Sequence, residues 1–503
     1  MSDGAPVPPR PPKRPRPDHE TPAPALVPVL PDEVIVEHIL TRVTTAATVR
    51  FRAVCRSWRA ALTSDHFVQS YQAARAAAAQ PPEIVFFVPG AAGSTSYSSR
   101  LNVSSPDDAP PALARELVTV GNLRASDLVM SGTKSCRGLT LLFQPGESAY
   151  HVINLSTGEH VSLPPCAWAY RALPYGPYVL SSAGLCFDPA ANEHKVVRIF
   201  EDWGKRQHCE VYGLRSGGWR PFAGGVPPPH AVKGLIGRPP VFADGRFYWN
   251  IHTGFNFSGW ENRHFATPEP ILSLAVGTEE FGWVPPPPPE ERSRSHSRYA
   301  FHLAELDGRL CAVVDRRLFV ERYELWTWTA AAAAAAGSAS PPAWSLRCCV
   351  DLATLPRPTR EDLSRGIRVL PLGLGSSGGK ILLATSRHEV YAYDPESNGV
   401  ERVFSVLEFM DAPREPELLF NVALHEETVT GVRRRHGAGD DDSKLEVKLG
   451  RSSVASRRGG TAEADDLLRE DVSAAQRQVQ RMLSVTRAVY RSIVDKQITY
   501  SRR

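Results

Sequence analysis

The sequence predicts a multidomain protein of class α plus all-β: a short helical unit, then a large β domain, then a C-terminal amphipathic helix. Near the N-terminus, Val36, Ile39, Leu40 and Val43 follow the i, i+3, i+4, i+7 spacing of one helix face. From about residue 83 to 430, short aromatic or β-branched runs alternate with Gly, Pro, Asn and Asp, which is typical of many strands joined by turns.

The helical unit is expected over residues 26–79, as three short helices. Pro31 suits a first helical turn, where proline lacks only an amide that would have no partner. Thr44 or Thr45 can cap the next helix, and Ser64 followed by Asp65 offers another cap. An alanine-rich segment then runs to the prolines at 81 and 82, which end the unit.

The β domain is expected over residues 80–430 and is too long for one sandwich. A β-propeller accommodates this length at about 40–50 residues per four-stranded blade. Asp244-Gly245 and Asp307-Gly308 each precede a strand-like run, as hairpin turns do. About five such units are visible, and the number of blades stays open because blades diverge in sequence.

Three further segments complete the domain division. Residues 1–25 are rich in proline and basic residues, and they are expected to form a disordered arm that either carries a nuclear-import signal or is a solvated tail. Residues 431–462 carry opposite charge blocks and are expected to form a disordered loop. Residues 463–503 are expected to form a helix, either a short coiled coil or an amphipathic helix packed on the propeller.

Composition argues against several classes of function. The 58 basic and 54 acidic side chains give a net charge of +4, which is too small for a nucleic-acid surface. No apolar run reaches the length of about 18 residues that spans a membrane. The 8 cysteines and 15 histidines show no metal-ligand spacing, so no metal or cofactor is expected. Gly373, Gly375 and Gly378 match a dinucleotide-binding spacing, but a strand-like run follows instead of a helix, so no catalysis is expected there.

The segment 30–59 resembles the F-box motif, especially its plant form. It begins with Leu30-Pro31, continues through Ile39-Leu40, and contains Arg50-Phe51-Arg52 followed by Val54-Cys55-Arg56 and Trp58-Arg59. It departs from the family at Thr44, where proline is frequent, and at the small residues 45–48, where lysine and leucine are frequent. The region from residue 80 to about 425 resembles the kelch-like, F-box-associated propeller of plant proteins, notably at 183–189, 195–200 and 218–220.

The resemblance implies a non-catalytic receptor subunit of a Skp-cullin-F-box ubiquitin ligase, located in the nucleus, the cytoplasm or both. The F-box would bind a Skp-type adaptor and, through it, cullin and RING subunits, while the propeller would hold an unknown target. A unit this small cannot bury all its apolar side chains internally, so some of them should form the adaptor interface and others the core. The expected adaptor-binding residues are Leu30, Pro31, Val36, Ile39, Leu40, Val43, Val54, Cys55 and Trp58.

Two alternatives remain from the sequence. One is a propeller scaffold that binds proteins without any ligase. The other is an enzyme, a hydrolase or lactonase-type propeller, which would need convergent acids or a metal site in the central channel. Binding of a Skp-type adaptor separates the first of these from a ligase subunit.

Overall fold

The computed structural model describes most of the helical unit and the strands of the β domain. The described residues are 35–77, 83–89, 93–101, 113–121, 129–132, 134–144, 149–164, 181–201, 206–227, 239–250, 271–288, 300–330, 343–365, 369–375, 379–410, 422–432, 445–450 and 453–455. The predicted arm (1–25), the predicted C-terminal helix (463–503) and two expected adaptor-binding residues, Leu30 and Pro31, lie outside these residues.

The helical unit contains three α-helices, and residues 36–43, which the sequence places on one helix face, lie in an irregular helical segment before them. A helical turn at Ile35–Ile39 continues as a 3-10 turn at Leu40–Arg42, followed by α1 (Thr45–Phe51), α2 (Arg56–Leu62) and α3 (Asp65–Ala77). The Thr44 hydroxyl accepts a hydrogen bond from the amide of Ala47 at 3.3 Å. The Ser64 hydroxyl accepts one from the amide of Phe67 at 3.2 Å. Both predicted caps are therefore confirmed, because each satisfies an amide that the first helical turn leaves without a partner.

In the described part of the chain, the strands form six antiparallel sheets arranged as the blades of a β-propeller. Blade 1 contains β1 (Glu83–Pro89), β2 (Gly93–Arg100) and β3 (Leu113–Gly121). Blades 2 and 3 consist of β4 (Val129–Met130), β5 (Thr140–Gln144), β6 (Ala149–Ile153) and β7 (His160–Ser162), then β8 (Ser181–Asp188), β9 (Glu193–Glu201), β10 (Gln207–Gly213) and β11 (Trp219–Pro221). Blade 4 consists of β12 (Val241–Ala243), β13 (Arg246–Asn250), β14 (Ile271–Ala275) and β15 (Glu280–Val284).

The last two complete blades carry the additional short helices. Blade 5 consists of β16 (Ala300–Leu306), β17 (Arg309–Asp315), β18 (Arg322–Thr329) and β19 (Ala343–Asp351), with α4 (Arg317–Val320) between its second and third strands. Blade 6 consists of β20 (Val369–Leu374), β21 (Ile381–Thr385), β22 (Glu389–Asp394) and β23 (Gly399–Ser405). Short 3-10 turns (Leu352–Thr354 and Val406–Glu408) and α5 (Arg357–Arg365) follow the outer strands of these two blades.

The ring closes through strand β24 (Val422–His425), which is the innermost strand of blade 1. It pairs antiparallel with β1, from Glu83 opposite His425 to Phe86 opposite Val422. The five units visible in the sequence correspond to blades 2–6. Blade 1 was not recognised as a unit because its strands come from residues 83–121 and 422–425, so no contiguous repeat exists.

Blade 1 also contains two strands from a segment that the sequence predicts to be disordered. Strands β25 (Glu446–Leu449) and β26 (Ser453–Ala455) both pair with β3 at its outer edge. The prediction of a disordered loop over 431–462, with the propeller ending at 430, is therefore wrong for these two segments. An open strand edge offers unpaired backbone groups, and here the chain itself pairs with them. Leu445 is buried, and Val447 packs on the same apolar cluster.

The tight turns between first and second strands mark one end of the propeller, which we call the F-box end. At Asp244-Gly245 the φ angles are 48° and 71°, and at Asp307-Gly308 they are 58° and 77°. Two successive positive φ angles define the hairpin turn expected from an Asp-Gly pair, so both predicted turns are confirmed.

Within the described residues, no helix is long and apolar enough to cross a membrane.

Candidate adaptor interface and its junction with the propeller

The core of the helical unit is completed by a residue of the β domain. Val429 follows the closing strand β24 and is fully buried among Leu40, Leu62, Phe67 and Tyr71. More peripheral side chains pack against this cluster while remaining partly exposed: Val36, Val43, Phe51, Trp58 and Val68. The helical unit is therefore packed against the propeller rather than tethered to it by a linker.

Arg52, after α1, holds the junction through several acceptors at once. Its guanidinium donates to a Glu159 carboxylate oxygen at 2.6 Å and to the carbonyl of Val429 at 2.7 Å. It also donates to the carbonyl of Leu62 at 3.4 Å, so it joins two helices to two propeller segments. Its side chain is only 10% exposed, and water therefore screens these interactions less than it screens a surface ion pair.

Two further ion pairs connect α3 to the propeller. Arg75 pairs with Glu427 at 2.5 Å, and Asp65 at the start of the helix pairs with Arg215 at 2.7 Å. Between them, the Gln72 amide donates to the hydroxyls of Thr428 and Thr430, each at 3.2 Å. Because contacts are spread along the helix, its orientation on the F-box end is defined.

The structure separates the expected adaptor-binding residues into buried and exposed groups. Leu40 is 3% exposed and belongs to the core, whereas Ile39 and Val54 are 45% and 61% exposed. Cys55 is exposed, and Val36, Val43 and Trp58 are half-buried. The turn that carries Ile39 packs beside α2, which begins just after Val54 and Cys55. Among the described residues of the helical unit, the large apolar side chains left exposed to a partner are Ile39 and Val54.

The exposed surface of the same segment is basic. Between residues 35 and 62, Arg42, Arg50, Arg56 and Arg59 are exposed, and Glu37 is the only acidic residue in that stretch. A partner that covers Ile39 and Val54 therefore meets several guanidinium groups, which favour an acidic complementary surface.

Sequence reasoning missed the contribution of the segment 427–430. Nothing in the spacing of Glu427, Thr428 and Val429 distinguishes them from an ordinary loop, and more than 350 residues separate Val429 from its partners Leu40 and Leu62 in the chain. Only closure of the ring brings this segment beside the helices.

The comparisons with known proteins agree with this architecture. Residues 28–70 match the F-box domain family. The chain is 24% identical over 283 residues to an F-box protein of Arabidopsis thaliana, covering 56% of this chain and 55% of that protein. It is 22% identical over 292 residues to an F-box/kelch-repeat protein of the same plant, covering 56% of this chain and 64% of that protein. A nidogen/laminin complex aligns with 69% of this chain and 99% of its own at 12% identity, with a TM-score of 0.33.

These findings define the class of protein as a six-bladed β-propeller preceded by a few helices at the position of the F-box. The chain carries an F-box domain at residues 28–70 and is similar to F-box proteins of plants. It spans between 55% and 64% of the length of the two relatives it matches here.

The close packing at the junction gives a first testable prediction, at Gly138. A Cβ atom at Gly138 would lie 1.7 Å from Cγ2 of Thr428, the neighbour of Val429, whereas at Gly245 no atom lies within 4 Å. Both glycines have φ angles between +70° and +80°, so alanine is strained at both, by about 1–2 kcal/mol. We expect Gly138→Ala to lower the free energy of unfolding by roughly 1–3 kcal/mol more than Gly245→Ala, because it also overpacks the junction. Urea unfolding of both variants measures the difference; equal losses would contradict the packing.

Proposed function

We propose that this protein is the substrate-recognition subunit of a Skp-cullin-F-box ubiquitin ligase, acting in the nucleus or cytoplasm. The observation that carries the proposal is the F-box domain at residues 28–70 with exposed apolar side chains at Ile39 and Val54. An F-box presents such side chains to a Skp-type adaptor, which in turn connects it to cullin and RING subunits. The propeller is then the part of the chain that holds the target.

In this role the chain performs no bond chemistry itself. Holding a target lysine near the charged ubiquitin-conjugating enzyme raises its effective concentration and replaces a slow bimolecular encounter. The position of the target relative to the adaptor therefore matters. The ion pairs Arg52–Glu159, Arg75–Glu427 and Arg215–Asp65, together with buried Val429, support a fixed geometry between the two parts.

The adaptor interface that we propose contains fewer residues than the set expected from the sequence. Ile39, Val54 and Cys55 contact the adaptor directly, with the accessible edge of Trp58 beside them. Trp58 is held edge-on against Phe51, with ring centroids 5.8 Å apart. Leu40 acts from inside the core by positioning the turn that carries Ile39.

Co-expression with a Skp-type adaptor tests the proposal. We expect the two chains to co-purify as a stoichiometric complex whose affinity falls as salt is raised, because the exposed arginines contribute to association. A chain lacking residues 28–70 should leave the adaptor unbound. Absence of a complex with the full chain would instead favour a propeller scaffold without a ligase role.

Proximity labelling under proteasome inhibition would then identify the target. Proteins labelled by the full chain and stabilised when the F-box surface is disrupted are candidates. Labelling without any such stabilisation would favour the scaffold.

A further inference from the structure

The central channel of the propeller contains a cavity of about 610 Å³. This size lies within the range of about 300–1,000 Å³ that is usual for small-ligand sites. The innermost strands of blades 2–6 and the segment that follows β24 all contribute to its lining. Its walls are largely apolar and include Leu185, Phe187, Phe242, Phe247 and Leu303.

The opening at the F-box end is crossed by an ion pair. Lys134 Nζ lies 3.1 Å from a carboxylate oxygen of Glu305. Lys134 belongs to blade 2 and Glu305 to blade 5, which stand opposite each other in a ring of six blades. Lys134 also forms a backbone bridge to Leu424 on the closing strand, which places it against the inner wall. The chain thus places an ammonium group of its own across the channel.

Two other carboxylates line the same cavity, Asp244 and Glu426. Neither forms an ion pair with another residue in the described part of the chain. Burial raises the pKa of both carboxyl groups, because they have lost water without gaining a cation at contact distance. The lining therefore contains three carboxylates, and its basic side chains are Lys134, Arg137 and His302.

The walls also accept a cation. The guanidinium of Arg137 lies over the ring of Phe187, at 3.6 Å from the ring centroid. An aromatic face attracts a cation through its quadrupole, and this attraction is strongest where water is excluded. Together with Lys134 on Glu305, this contact shows one carboxylate and one aromatic ring of the channel each in contact with a cationic group.

We propose that the central channel is a binding site for an organic cation, an ammonium or guanidinium group on an apolar body. Lys134 fills the place of that group in the free protein. The ligand's cation takes over Glu305 and reaches Asp244 and Glu426, while its apolar part lies along the aromatic wall. The inference does not depend on adaptor binding.

Displacement of Lys134 is energetically easy. Its side chain is 52% exposed, so the ammonium can return to water when it leaves Glu305. A half-exposed ion pair changes an equilibrium constant by only about fivefold or less. A ligand cation that contacts several carboxylates in the cavity can therefore compete with it.

The same chemistry is available from two sources, a free polyamine or a lysine or arginine side chain of a bound protein. The full chain is titrated calorimetrically with spermine and, separately, with a blocked hexalysine peptide, at matched ionic strength. Glutarate and a blocked hexaglutamate peptide serve as anionic counterparts. Saturable binding of spermine indicates a small-molecule site, and binding of the peptide alone indicates a site for a basic protein segment.

Channel variants decide whether such binding occurs where we place it. The double variant Asp244→Asn, Glu305→Gln should weaken binding about tenfold or more, since it removes charge-assisted contacts. Glu401→Gln, at an exposed position on the outer strand of blade 6, should leave binding unchanged. Lys134→Met should tighten binding by a few fold, because it removes the internal competitor. Thermal unfolding of each variant establishes that it is folded, and Lys134→Arg provides a second, milder change at the same position.

Several results would overturn the proposal. These are the absence of saturable binding of either cation to the full chain, equal binding by the channel double variant, or equal binding of the anions. Weaker rather than tighter binding by Lys134→Met would show that Lys134 belongs to the site instead of competing for it.

Discussion

Substitution of both Ile39 and Val54 by aspartate is expected to abolish binding of a Skp-type adaptor without unfolding the chain. Ile39 is about half exposed and Val54 more than half, so charged replacements can reach water in the free protein. In a complex, each change removes an apolar contact and places a carboxylate where water is excluded, at a cost of about 2 kcal/mol or more per residue. The combined loss should approach 1,000-fold in affinity.

Val226→Asp is the matched control for this experiment. Val226 is 63% exposed, close to the 61% of Val54, but it lies after β11 on the propeller. Its substitution should change neither adaptor affinity nor the free energy of unfolding by more than about 0.5 kcal/mol. Adaptor affinity is measured by biolayer interferometry and stability by thermal unfolding. Retained binding in the Ile39, Val54 double variant would place the interface elsewhere on the F-box.

Val429→Asp should have an equally large effect by a different route. Val429 is fully buried in the F-box core although it lies in the segment that follows the closing strand β24 of the propeller. A carboxylate there would be buried among apolar side chains, and the neighbouring Arg52 is already paired with Glu159. The change is expected to cost about 4 kcal/mol, which is about what the core of a small helical unit supplies. The helices should lose their packing, and adaptor binding should fall with them.

The readout must separate the F-box from the propeller. Limited proteolysis should cleave the Val429→Asp chain within residues 35–77 while the blades stay protected, and hydrogen exchange should show the same division. Val429→Ile, which keeps an apolar side chain, should bind the adaptor nearly as well as the unaltered chain. Unchanged proteolysis and affinity in Val429→Asp would mean that the F-box core is complete without the propeller.

The F-box has apolar side chains that pack against the propeller segment around Val429 and others, Ile39 and Val54, that are exposed. The sequence led to the expectation that a partner protein covers apolar residues that the F-box cannot bury internally. Part of that covering is supplied by the protein itself, through Val429 and the ion pairs of Arg52 and Arg75. Ile39 and Val54 are left for a partner. Leu40, which the sequence placed among the adaptor-binding residues, is a core residue whose substitution would report on folding.

Local signals in the sequence were reliable wherever neighbouring residues decide the structure. Caps at Thr44 and Ser64 and the turns at Asp244-Gly245 and Asp307-Gly308 are confirmed, because hydrogen bonds and backbone angles over two to four residues determine them. The charge blocks of residues 431–462 were misleading, since pairing with the edge of β3 outweighed the local preference of residues 446–449 and 453–455.

The sequence by itself therefore determined the order of the parts: an F-box motif, followed by a run of strand and turn signals long enough for a propeller. Only the tertiary structure decided how many blades form, which strand closes the ring, and which residue completes the F-box core. It also decided that Lys134 and Glu305 meet across the channel. These features depend on contacts between segments far apart in the chain, and such contacts leave no periodicity or spacing in a single sequence.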